Sequence, residues 1–173
     1  MTGSYSAALP IARVVLRILI VVNWVVGVAT LALLLIAPHE QWLMTVFRLT
    51  PGPEATRIVW GFRGIAMLGL VTLPLYHLIL TRLVAITDTV REGDPFVAAN
   101  ATRLQAIAWL LIGLQICGLA IAIIVKMISS REHPVNISAG PSVAGLLAIL
   151  LMFVLARVFA EGARMRDDLE GTV

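Results

Sequence analysis

The sequence predicts an all-α polytopic membrane protein with four transmembrane helices in an up-down bundle. Four apolar stretches without Asp, Glu, Lys or Arg, at 18–37, 65–81, 104–125 and 142–156, occupy almost half of the 173 residues. Only 13% of the residues are charged, against about 25% in soluble domains, and the mean hydropathy is +0.96. A hydrocarbon core about 30 Å thick needs about 20 apolar residues per helix, so the chain forms one small membrane domain. The four predicted spans are 13–37, 62–86, 104–127 and 141–161. The cytoplasmic turn is expected at 87–103 and the cytoplasmic tail at 162–173.

The distribution of basic residues predicts the orientation of these spans. Four spans place both termini and the 82–103 loop on one side, which carries eight arginines, whereas the other side carries five Lys and Arg residues. Basic residues are enriched on the cytoplasmic side of membrane proteins. We therefore expect a multi-pass protein of the bacterial inner membrane with both termini in the cytoplasm.

The first helix is expected over about 11–37, because proline at position 38 cannot continue a helix. Arginines precede its apolar run, but the run is too long for a signal peptide and no cleavage site follows it. Beyond it, Trp42 and Phe47 share one face of a short helical segment within 39–50. This segment either lies in the outer membrane interface or forms a loop that caps the bundle.

The second helix is expected over about 54–91, with Pro53 and Glu54 in a favourable first turn. Pro74 lies in its middle and should kink it, which frees the carbonyl of Leu70. Gly93 suits the C-terminal stop of this helix.

The third and fourth helices follow from similar boundary residues. Asp94 and Pro95 have the types expected of an N-cap and a first helical residue, so the third helix should start near 96 or 100 and end at 128. The sequence 140–142 (Gly-Pro-Ser) should launch the fourth helix. Because no breaker follows, that helix should continue beyond the membrane as an extension through residue 169.

His77 is the best candidate for an intramembrane functional group, because ionisable residues inside spans are rare and often functional. It would centre a small transporter or channel, or a haem-binding or ligand-sensing site. A haem held between helices usually needs two axial histidines, but the other two histidines, His39 and His133, are expected in outer loops. A neutral histidine hydrogen-bonded near the Pro74 kink is the structural alternative. The single cysteine, Cys117, supplies neither a disulfide within one chain nor a thiolate metal cluster, and we expect no cofactor.

Small and polar residues inside the spans are expected to join helices. Asn23, Gln105 and Gln115 can form hydrogen bonds between helices. The pairs Gly118–Ala122 and Ala144–Ala148 allow close helix approach, either within the bundle or in a homodimer.

Two predicted cytoplasmic segments, 88–109 and 159–173, carry both charge signs. Their apolar side chains include Phe96, Met165 and Leu169. Mixed charge around apolar anchors is typical of a polar-rimmed protein contact, and a solvated helix end with a turn is the alternative. The arginines are dispersed among carboxylates and no helix-turn-helix segment is present, so direct nucleic-acid binding is not expected.

Two motifs lie in these segments. The first, V-x-x-G-x-P-F-x-x-x-N-x-x-R-L, begins at Val90, and the second, F-x-x-G-x-x-x-x-x-D-x-E-G-T-V, begins at Phe159. Together with the length and the four-span layout, they resemble the family described as domain of unknown function 2975, small bacterial membrane proteins with four helices.

Members of that family are often encoded beside a small Xre-type helix-turn-helix regulator. The resemblance implies a non-enzymatic membrane protein that binds such a regulator and withholds it from DNA. It implies no catalytic residues. The residues expected to bind this partner are Arg91, Glu92, Asp94, Phe96, Asn100, Arg103, Arg164, Asp167, Asp168, Leu169 and Glu170. The alternative for Asn100 and Arg103 is an internal role, in which they tie the turn to the C-terminal tail.

Overall fold

A computed structural model describes residues 5–36, 44–45, 51–129, 135, 137 and 139–170, and it leaves out the side chains of 5–8, 36, 169 and 170. The long helices in this part of the chain are α1 (Tyr5–Ile36), α2 (Pro53–Arg91), α3 (Ala98–Ile128) and α4 (Val143–Glu170). All four are long and apolar enough to cross a membrane. The predicted all-α, four-span fold is confirmed. The predicted interfacial segment at 39–50 lies outside the described residues, except that Met44 and Thr45 are helical.

The helices are arranged as an antiparallel row in chain order. When only the described helices are compared with one another, α1 contacts only α2, and α4 contacts only α3. The accessible surface is 11,552 Å², whereas a compact soluble chain of this mass exposes about 8,300 Å². Most apolar side chains on these helices therefore face outward. In a membrane protein those side chains meet lipid rather than water.

Helix α2 extends well beyond the thickness of a membrane. Its 39 residues give a length of about 58 Å at 1.5 Å per residue, and it continues through Pro74. It ends at Gly93, whose φ is +90°. The Asp94 N–H donates to the Thr89 carbonyl and the Gly93 N–H to the Val90 carbonyl, the pair of bonds that defines a Schellman motif. The prediction that Gly93 stops this helix is confirmed.

The predicted N-cap at Asp94 and first helical residue at Pro95 are wrong, whereas α3 starts at Ala98, between the expected starts near 96 and 100, and ends at Ile128 as predicted. The N-cap is Val97, whose backbone is extended with φ −94° and ψ 141°. The chain from Asp94 to Val97 lies outside both helices. The physical reason is tertiary, because this non-helical stretch carries Asp94 and Phe96 across to α4, as described below.

The start of α4 is built as predicted. Gly140 has a φ of +128°, and the Ser142 hydroxyl accepts a hydrogen bond from the Gly145 N–H at 3.0 Å. Gln115 on α3 donates to the Ser142 carbonyl at 3.2 Å. A Cβ on Gly118 would lie 3.5 Å from the Gly140 carbonyl oxygen. A Cβ on Gly140 would in turn lie 3.5 Å from the Cβ of Ala122. Gly118 and Ala122 therefore serve packing within the chain.

A hydrophobic cluster joins α2 and α3 at the end opposite their turn. Ala55, Ile58 and Ile128 are buried there, with Phe62 and Ile124 packed against them. This cluster and the α2–α3 turn hold the two central helices together at both ends.

Candidate functional site at the α2–α3 turn

The side chain of Asn100 organises the α2–α3 turn. It is completely buried and is the third residue of α3, in the first turn of that helix. Its amide nitrogen donates to the Thr89 hydroxyl at 2.7 Å and to the Pro95 carbonyl at 2.9 Å. One side chain thus joins the end of α2, the turn and the start of α3. Buried polar groups are costly unless they are hydrogen-bonded, so the turn depends on this amide.

Arg103 completes the same network. Its guanidinium donates to the Asn100 side-chain oxygen at 2.8 Å and reaches the Ala85 carbonyl on α2 at 3.5 Å. Arg103 is half-buried. Both residues thus have the internal contacts that the sequence left as the alternative, although they join α2 to α3 rather than the turn to α4.

The non-helical stretch after the turn docks on the C-terminal half of α4. The rings of Phe96 and Phe159 lie 5.3 Å apart. A Cβ on Gly162 would lie 2.7 Å from Cδ1 of Phe96, so the ring fills the space that glycine leaves. Asp94 and Arg166 form an ion pair. The two motifs, which are separated by the 54 residues 105–158, are therefore in direct contact.

The surface formed by residues 91–97 and the exposed side chains of 161–168 is called the turn face below. Arg91, Glu92, Arg164, Asp167 and Asp168 are exposed on it, and Phe96 is 43% exposed. Arg164 lies 3.9 Å from Glu161. Glu92 and Asp167 form no ion pair with any residue that the structure describes. Helix α4 continues through Leu169 and Glu170, whose side chains lie outside the described residues.

An ion pair that the sequence analysis missed ties α1 to this end of the molecule. Nε of Arg13 lies 3.0 Å from Oδ1 of Asp88, and its Nη2 donates to Oδ2 at 3.1 Å. Asp88 directly precedes Thr89, the partner of Asn100. The only available sign in the sequence is one acid and one base near the same predicted membrane edge, which does not specify the pairing. The Nη2 hydrogen bond orients the pair, whereas Nε and Oδ1 lie within ion-pair distance but form no hydrogen bond with each other.

His77 lies apart from this face. Its ring meets the edge of Trp24 on α1, with centroids 5.5 Å apart. Its Nδ1 is buried and makes no hydrogen bond with the described residues, so the expected bond from the imidazole to the Pro74 kink is absent there. Instead, Asn23 donates across the helices to the Leu73 carbonyl at 3.2 Å, as expected for an interhelical amide.

A groove of about 540 Å³ between α1 and α2 is lined by Asn23, Thr72 and Tyr76 among mostly apolar side chains, but His77 does not line it. Among the described residues, His77 thus contacts the Trp24 ring and lies outside this groove.

Comparison with known proteins gives one informative result. No curated protein and no solved structure matches the chain. A family model described as "Protein of unknown function (DUF2975)" matches residues 37–173, which is 137 of the 173 residues. This match covers α2, α3, α4 and the whole turn face. The chain therefore belongs to the domain of unknown function 2975 family.

Proposed function

We propose that this protein is a non-enzymatic regulator in the bacterial inner membrane that binds and sequesters a small cytoplasmic helix-turn-helix transcription regulator on its turn face. One observation carries the proposal. The two recognisable motifs, distant in sequence, meet through Phe96 on Phe159 and Gly162 and through the Asp94–Arg166 pair. Internal packing alone would not require exposed charged side chains around this contact, whereas a docking surface does.

The chemistry of the turn face suits a basic partner. A helix-turn-helix protein carries Lys and Arg that contact DNA phosphates. Glu92 and Asp167 are exposed carboxylates without an ion pair among the described residues, so they can bind those cations in place of DNA. Phe96, 43% exposed, adds an aromatic anchor of the kind that often dominates interface energy.

Asn100 and Arg103 contribute to binding indirectly in this proposal. Asn100 is completely buried and holds the turn in the shape that presents Glu92 and Phe96. The contact residues proper are therefore the exposed side chains. Asp94 is both a contact candidate and the anchor of the turn, because it pairs with Arg166.

The proposed orientation places the turn face and both termini in the cytoplasm. Its support is the excess of arginines on that side, eight against five Lys and Arg on the other, because basic residues are retained on the cytoplasmic side during insertion. A cytoplasmic partner needs this orientation.

A pull-down tests the proposal directly. The tagged full-length protein is purified from mildly solubilised native membranes, and co-purified proteins are identified by mass spectrometry. We expect a small helix-turn-helix protein with the wild type, and loss of that protein with Glu92→Lys/Asp167→Lys. The matched control is Glu54→Lys, a charge reversal at the other end of α2, which should retain it.

Two results would overturn the proposal. One is recovery of the protein without any such partner. The other is equal retention of the partner by the double variant. Ion or solute flux through reconstituted vesicles, abolished by His77→Ala, would instead favour a transporter or channel.

A further inference from the structure

We propose a binding site for the phosphate headgroup of an anionic phospholipid in a cleft between α3 and α4. The cleft has a volume of about 450 Å³. It lies between the N-terminal half of α3 and the C-terminal half of α4, and its wall includes Gln105, Arg157 and Arg164. This inference does not depend on the proposed function or on the orientation of the protein.

The cleft exists because both helices present alanine there. Ala101, Ala156 and Ala163 are buried at its base, and small side chains leave a gap where larger ones would fill it. Phe153 closes one end of this gap. Its ring packs edge-on against Trp109, with the two ring centroids 5.6 Å apart. The base is thus apolar and fits the upper part of an acyl chain or a glycerol backbone.

Arg157 gives the cleft its chemical preference. It is exposed, and it makes no hydrogen bond or ion pair with any residue in the described part of the chain. It follows Val143, the first residue of α4, by about 21 Å of helix, less than the 30 Å of a hydrocarbon core. A charge at that depth needs an anionic or hydrated partner, and a long side chain can extend to the headgroup layer to reach it.

The neighbouring polar groups fit a phosphate. Arg164 lies two helical turns from Arg157 on the same face, and its contact with Glu161 at 3.9 Å is exposed and therefore weak. The amide of Gln105 is exposed and has no hydrogen-bond partner among the described residues, so it can donate. Asp167 is the one carboxylate that lines the cleft, and Glu161 lies outside the lining, beside Arg164. The lining itself therefore carries two arginines and one carboxylate, which favours an anion, and basic pockets between helices near the membrane surface bind anionic headgroups.

Native mass spectrometry of the full-length protein in detergent tests this site, with phosphatidylglycerol or phosphatidylcholine added at equal concentrations. The wild type should bind phosphatidylglycerol preferentially. Arg157→Gln should weaken that binding about tenfold, the effect of losing one charge-assisted contact. Ala160→Leu narrows the cleft without changing charge and should weaken binding of the same lipid. Arg17→Gln is the control, because Arg17 is an exposed arginine on α1 outside the cleft and should behave as the wild type.

Several results would overturn the site. These are equal binding of the two lipids by the wild type, an equal loss in Arg17→Gln, or wild-type binding by both cleft variants. Displacement of the lipid by millimolar inorganic phosphate would show a free-anion site instead and would also contradict the proposal. Helical content by circular dichroism identifies a variant that fails to fold, in which case the other cleft variant decides.

Discussion

The ring of Phe96 lies directly against Gly162, where a Cβ atom would come within 2.7 Å of the ring. This contact brings the α2–α3 turn onto α4 and explains why a residue without a side chain is placed there. Because the chain on either side is fixed by Asn100 and by the Asp94–Arg166 pair, the ring has little room to withdraw.

Gly162→Ala should therefore destabilise the protein. Overpacking a fitted contact typically costs about 1–3 kcal/mol. Gly69→Ala is the matched control, because it is also a helical glycine and has no atom within 4 Å of the added Cβ. Replacing glycine by alanine stabilises the helix by about 1 kcal/mol in both variants. The difference between the two variants in thermal unfolding in detergent should therefore report the clash alone.

The same contact predicts coupling between two substitutions. In a Phe96→Ala background the added methyl group at position 162 meets no ring, so Gly162→Ala should cost much less there. A double-mutant cycle measures this difference. Equal costs in the two backgrounds would show that Phe96 does not pack on Gly162 in the membrane-extracted protein.

Asn100→Ala should destabilise the turn by about 1–3 kcal/mol, because Arg103, Thr89 and the Pro95 carbonyl lose a buried partner. Chemical unfolding monitored by circular dichroism gives the value. Thr102→Ala serves for comparison, since its exposed hydroxyl donates to the Ala99 carbonyl within its own helix at 2.8 Å. A loss no larger in Asn100→Ala than in Thr102→Ala would contradict the role of the buried amide.

Much of this fold follows from local sequence. Long apolar stretches predict the four helices, and Gly93 and the 140–142 sequence predict turns because glycine adopts positive φ without strain. The start of α3 was not predictable in this way. Asp94 and Pro95 have the residue types of a helix start, and only the contact of Phe96 with α4 shows why the chain stays extended.

The candidate site was predictable in part for a related reason. The motifs mark the turn and the α4 extension but not which of their residues are buried. Asn100 is internal and Phe96 is partly exposed, a distinction that depends on packing between distant segments. Likewise, Arg13 and Asp88 pair because α1 and α2 have a specific relative depth, which no local pattern encodes.

The Arg13–Asp88 pair supports a charge-exchange prediction. Arg13→Asp and Asp88→Arg should each lower stability by about 1 kcal/mol or more, because like charges then face each other across the helices. The double exchange should recover most of the loss, as measured by thermal unfolding. Additive losses in the double variant would mean that the two side chains do not interact.

Orientation can be tested by cysteine labelling in a Cys117→Ala background. Arg57→Cys lies at one end of α2 and Glu92→Cys just beyond the other, and both positions are exposed. In intact cells, a membrane-impermeant maleimide should label position 57 and leave position 92 unlabelled until the cells are opened. The reverse pattern would place the turn face outside and exclude a cytoplasmic partner.

If the turn face withholds a regulator from DNA, the occupancy of that regulator on its DNA sites in cells must depend on the turn face. Chromatin immunoprecipitation of the regulator recovered by pull-down would compare wild-type cells with cells carrying Glu92→Lys/Asp167→Lys in the membrane protein. Sequestration predicts higher occupancy in the variant cells at unchanged regulator abundance, and Glu54→Lys cells should match the wild type. Occupancy that does not change when the turn face is altered would contradict the account.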